Sequence, residues 1–148
     1  MPIIVDTSAV LALYDEDQAG HAEVAAIVGA TSALLVLSLM VVAEADYMLY
    51  TRLGAKAARV FAGDVVSEAF ELADWTASDH ASAASVIDRF GGSDYIGITD
   101  AANVVLADRY RTTKLLTLDQ RHFRVLRPIW GVDHFTLLPY DADEVSGR

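Results

Sequence analysis

The sequence predicts an α/β fold: one domain built on a parallel sheet flanked by helices. Three observations carry this. Short aliphatic runs, "IIV" (3–5), "ALLVLS" (33–38) and "KLLTL" (114–118), are bounded by polar residues and too short for helices, so they read as buried strands. Longer stretches of helical composition separate them, and strands alternating with helices imply parallel pairing through right-handed crossovers. At 148 residues, 53% of them hydrophobic and only three of them proline, the chain has one domain's length and can bury a core.

The elements follow in order. Strand 3–5 ends at Asp6, and "TSAVLALYDED" turns helical after it. "AGHAEVAAIVGA" (19–30) is helical, with Gly29 near its end. After strand 33–38, "LMVVAEADYMLYTRLG" (39–54) is a helix closed by Gly54. Residues 55–66 are helical, and "EAFELAD" (68–74) alternates as a strand does. Thr76 followed by Asp79 gives an N-cap with an acidic first turn, which opens a helix over 76–90. "GGSDYIG" (91–97) is loop. "TDAANVVLADRYR" (99–111) is a helix with Thr99 as its N-cap, 114–118 is a strand, and "HFTLLP" (134–139) is a last edge strand. The domain is expected to end near residue 140, leaving the polar "DADEVSGR" (141–148) to fray.

Composition narrows the function. Without cysteine there are no disulfides and no thiolate metal sites, which fits a reducing cytoplasm. Residues 24–43 carry no charge over a membrane-spanning length, but Gly29, Thr31 and Ser32 break the run. No Lys or Arg precedes Arg52, so a membrane anchor would lack its cationic flank. We therefore expect no membrane span. The net charge of −10 opposes nucleic-acid binding in bulk, yet six of the eleven basic residues fall between Arg109 and Arg127.

In parallel sheets ligands bind beyond the carboxyl ends of strands. Asp6 and Asp119 each follow an apolar run and stand at such an end. Glu44 lies about one and a half turns into the helix after "ALLVLS", within an apolar stretch, and Asp100 opens the helix leading to the strand before Asp119. Taken singly, each acid has an ordinary explanation as a helix cap or a solvated position. Together they suggest convergence on one rim. Two carboxylates about 4 Å apart repel by around 4 kcal/mol at an effective dielectric near 20, so such a cluster needs protons or a cation. With no cysteine, and no histidine expected beside these acids, oxygen ligation points to Mg²⁺ or Mn²⁺.

Four segments, "IIVDTSAVLALYD", "VVAEADYML", "IGITDAANVVLADRY" and "LLTLDQRHF", closely resemble those of PIN-domain ribonucleases of the VapC toxin type, in the same order and spacing. The resemblance runs from Pro2 to about Pro139. It implies a sheet of order 3-2-1-4-5, with Asp6 and Asp119 at adjacent strand ends. It also places the core acids on Asp6, Glu44 and Asp100 and a more variable fourth on Asp119. The implied chemistry is metal-dependent hydrolysis of RNA, tRNA or rRNA stem-loops, leaving a 5′-phosphate and a 3′-hydroxyl. The implied partners are a VapB-like antitoxin and a second copy of the chain.

Thr7 and Ser8 could orient a water or cap the following helix, and Asn103 shares the Asp100 face one turn on. Arg121, Arg124 and Lys114 are the expected phosphate contacts. Asp94 reads as turn chemistry, while His21, His80 and His134 show no ligand spacing. Two other readings remain: a catalytically silent RNA-binding or assembly module, and a Mg²⁺-dependent phosphatase or phosphoacceptor. Carboxylates at all four positions argue against the first, and the absence of a DxD pattern at "VDTS" argues against the second.

Overall fold

In the computed structural model, residues 1–92 and 94–146 are described; Ser93, in the expected 91–97 loop, and residues 147 and 148 of the tail lie outside them. The elements are β1 (Ile3–Val5), α1 (Thr7–Tyr14), α2 (His21–Ala30), β2 (Leu35–Leu37), α3 (Leu39–Leu53) and α4 (Ala55–Val66). They continue with β3 (Glu71–Leu72), α5 (Ala77–Phe90), α6 (Ile98–Arg109), β4 (Lys114–Leu116), α7 (Gln120–Phe123), β5 (Thr136–Leu138) and α8 (Ala142–Ser146). The strands form one parallel sheet of order β3-β2-β1-β4-β5. The architecture is the one expected.

Strands β1, β2, β4 and β5 are buried on both faces while the edge strand β3 is not, and the period-2 alternation of side chains splits the core. Ile3, Val5, Leu35, Leu37, Leu116 and Leu138 pack with α1 to α4 around Leu49 and Phe61. Ile4, Val36, Leu115 and Leu137 face the other way, onto α5, α6 and Phe123 of α7. Continuous apolar runs are the sequence mark of strands covered on both sides.

Apart from β1, the strands are shorter than their apolar runs. Ser38, expected in a strand, instead caps α3, its Oγ accepting from Val41 N at 3.0 Å. The third strand shrinks to two residues, and β4 ends at Leu116, although Thr117 N still donates to Leu138 O at 3.0 Å while its side chain serves the site described below. Gly54 does end α3; at φ +100° it also opens α4, a backbone that a side chain would strain. Thr76 and Asp79 form a full capping box on α5. Thr99 is not the cap of α6, because the helix begins one residue earlier with Gly97 in that place. The tail expected to fray is helical over Ala142–Ser146.

The uncharged stretch 24–43 resolves into the end of α2, β2 and the start of α3. Among the described residues no helix is long and apolar enough to cross a membrane.

Candidate active site

The register of β1 against β4 places Asp6 beside Thr117. Val5 pairs with Leu116, and Asp6 N donates to Leu116 O at 2.9 Å. At this point both strands turn into helices. Asp6 holds the N-cap position of α1 without capping it, so its carboxylate is available to other groups.

Three side chains use it. Thr117 Oγ1 donates to Oδ2 at 2.9 Å, Ser8 Oγ to the same oxygen at 3.0 Å, and Asn103 Nδ2 to Oδ1 at 3.0 Å. Ser8 thus orients Asp6 rather than capping α1, and it also accepts from Leu118 N at 2.9 Å. Asn103 takes the supporting position that its helical spacing suggested. Thr117 was missed, although its alternation with Asp119 at the strand end was a usable signal. Thr7 Oγ1 and Asn103 Oδ1 are buried with no hydrogen-bond partner, and of the two residues Thr7 lines the cleft described next.

An open cleft of about 270 Å³ lies over this floor. Asp6, Thr7, Ser8, Glu44, Asp100 and Asp119 all line it, so the structure brings the four acids together. They are not equivalent. Asp6 is buried, Asp100 and Asp119 are half-buried, and Glu44 is exposed on α3, where Thr99 Oγ1 donates to its Oε2 at 3.4 Å. Asp119 also caps α7 through His122 N at 3.1 Å, so the capping and site readings hold at once.

His122 is the addition that the sequence did not reveal. Its Nδ1 lies 2.7 Å from Asp100 Oδ2 and 3.1 Å from Asp119 Oδ2. Ligand atoms of Asp100, Asp119 and His122 fall within 4.8 Å of one another. A nitrogen donor therefore stands beside the expected oxygen donors. The signal lay in the three-residue spacing from Asp119, which one turn of α7 folds back onto the same side.

Electrostatics fit a cation here. Burial pushes the Asp6 carboxyl above its usual range, against the hydrogen bonds from Thr117 and Ser8, and Asp119 adds repulsion. Burial and then the charge of Asp6 raise Asp100 to about 6, with His122 opposing. Repulsion among carboxylates beside a histidine nitrogen suits a divalent ion.

The expected phosphate contacts fare differently. Arg121 pairs with Asp94 at 2.6 Å, so Asp94 is more than a turn residue. Arg124 is clamped by both oxygens of Asp141, at 2.8 and 2.7 Å, and its guanidinium is committed away from the cleft. Lys114 stands at the amino-terminal end of β4, the opposite end from the acids. Neighbours in sequence were divided by the strand and the helix turn.

The PIN domain family matches residues 3–127. The chain belongs to the PIN-domain family. Within it the chain is VapC-like: it is 45% identical over 137 residues to ribonuclease VapC26 of Mycobacterium tuberculosis, covering 93% of this chain and all of that one. Solved structures share its fold. One is M. tuberculosis VapC20, a sarcin–ricin loop cleaving toxin, with a TM-score of 0.75 at 21% identity over 81% of this chain and 92% of that one. Others are VapBC2 of Rickettsia felis bound to a promoter DNA fragment (0.59, 15%, covering 84% and 93%) and FitAcB of Neisseria gonorrhoeae (0.57, 19%, covering 84% and 92%).

Proposed function

We propose that this chain is a divalent-metal-dependent endoribonuclease, the toxin of a VapB–VapC-type pair, acting in the cytoplasm as a homodimer on a tRNA or rRNA stem-loop. The observation that carries this reading is the convergence of Asp6, Glu44, Asp100 and Asp119 on one open cleft at the sheet's carboxyl rim. Kinship with a ribonuclease at 45% identity supports the chemistry.

Asp6, Glu44, Asp100 and Asp119, with His122, would hold Mg²⁺ or Mn²⁺. A bound ion would acidify water and offset charge on the transferring phosphoryl group. The chain's own residues do the positioning. Ser8, Thr117 and Asn103 fix the Asp6 carboxylate, and Thr99 tethers the exposed Glu44 to α6. Asp119 is fixed by its cap bond to α7. Inline attack by water would leave a 5′-phosphate and a 3′-hydroxyl.

The test is cleavage of total RNA in Mn²⁺, Mg²⁺ and excess EDTA, with 5′-end sequencing of the products. Cleavage at a few sites, dependent on metal and lost in Asp6→Asn, is expected. Full activity in EDTA would overturn the reading.

A further inference from the structure

The proposed nuclease must seat a polyanion over carboxylates, in a chain of net charge −10. The commitments of its cations therefore decide where phosphate can bind. Among the described residues Arg109 is held by Asp79, Arg111 by Asp108, Arg121 by Asp94 and Arg124 by Asp141. Arg52 differs. It lines the cleft together with the four acids, yet no carboxylate of the described residues pairs with it.

Its side-chain partner is neutral: Nη1 donates to Gln18 Oε1 at 3.3 Å. Gln18 follows Asp15, Glu16 and Asp17 in the loop between α1 and α2, so three carboxylates were near in sequence, and an amide meets the guanidinium instead. An amide oxygen orients the fork without neutralising it and leaves its other N–H donors for an anion.

Helix α3 sets the distance. Glu44, Met48 and Arg52 recur every four residues, share one face and all line the cleft. Arg52 stands about 12 Å along the axis from Glu44, and helical side chains lean toward the amino terminus, so it reaches back over the rim. That separation suits a phosphate neighbouring the scissile one, beyond the metal's own ligands.

We propose that Arg52, oriented by Gln18, binds a phosphate flanking the scissile one and so sets the register of the RNA strand on the acids. The inference rests on the nuclease reading. Such a contact positions the strand without reading sequence, so its loss weakens binding to all RNAs alike.

The test measures binding of a random single-stranded 20-mer RNA pool to Asp6→Asn protein in Ca²⁺, across salt. Adding Arg52→Gln should flatten the slope of log K against log salt by about 0.7, one phosphate contact, while Arg52→Lys keeps it. In the active background Arg52→Gln should raise KM for a cleaved RNA several-fold with kcat nearly unchanged, and leave Mn²⁺ affinity by calorimetry unaltered. Gln18→Ala should give a smaller rise in KM. Arg52 is exposed, so its variants should melt as the parent does. An unchanged slope and KM, in a protein whose parent cleaves RNA, overturns the assignment and spares the nuclease reading. A parent that binds RNA with an Arg52-dependent slope but never cleaves it overturns the nuclease reading and spares the contact. A parent that does not bind RNA overturns both.

Discussion

Asp6 is buried among groups that hold its carboxylate in place, yet burial works against its charge. In Asp6→Asn, Oδ1 keeps the bond from Asn103, and the hydroxyls of Ser8 and Thr117 can turn to accept from the new amide. The variant should therefore fold. It should melt at or above wild type without metal near pH 7.5, because a charge held above its ordinary pKa no longer has to be ionised in the folded state. Cleavage should fall more than about 100-fold. A variant that unfolds instead would mean that Asp6 serves structure alone. Asp100 gives a pH signature. Its folded pKa of about 6 exceeds the ordinary 3.8, so the native chain binds the proton more tightly than the unfolded chain does. Metal-free stability should fall as pH rises between those two values, and a divalent ion should reverse the trend because ligation needs the ionised form. The rise in Tm with Mn²⁺ should grow from about pH 5 to about pH 7; a shift that is flat with pH would remove Asp100 from the ligand set. His122→Ala should lower Mn²⁺ affinity by about tenfold and Mg²⁺ affinity less, since a nitrogen donor favours the softer ion. The four acids were legible because each sits at a strand end or early in a helix, places that sequence patterns mark. Thr117 and His122 were missed because their spacing from Asp119 gains meaning only once strand register and a single helical turn bring them to those acids.

At the scale of elements, sequence read best where one signal sufficed. The capping box at Thr76, the stop at Gly54 and the aliphatic runs are local facts. Boundaries failed where a residue at the edge of a run had a better use, as with Ser38 capping α3 and Thr99 tethering Glu44. The basic run from Arg109 to Arg127 shows a different limit: charge in sequence says nothing of which acid will fold against it. Arg124 joins α7 to the turn after β5 through Asp141, whose Oδ2 also accepts from Leu137 N at 2.8 Å. Arg124→Ala should cost up to about 1 kcal/mol, a loss of a few degrees in Tm, and leave the salt dependence of RNA binding unaltered. A slope flattened by about 0.7 would return Arg124 to a phosphate role.

At the scale of the molecule, the acid cleft opens to solvent on a chain of net charge −10, so whatever enters must carry or recruit positive charge. On the proposed reading, RNA would do so through a divalent ion and Arg52. A protein inhibitor can do so directly, because an Arg from a partner segment would find several carboxylates, and charge-assisted bonds to them would compete with the metal. That is the physical case for an antitoxin that silences the enzyme by occupying its cleft. Expression of the chain alone should arrest growth of a bacterial host, and Asp6→Asn should not. Co-expression with the small gene adjacent to its own should restore growth, and the purified complex should neither cleave RNA in Mn²⁺ nor show the Mn²⁺-dependent rise in Tm of the free chain. Retention of that rise in an inactive complex would place the inhibitor elsewhere on the surface. Soluble wild-type protein that accumulates without harm in the absence of the second gene would count against the toxin reading, while leaving ribonuclease activity to be judged by the cleavage assay.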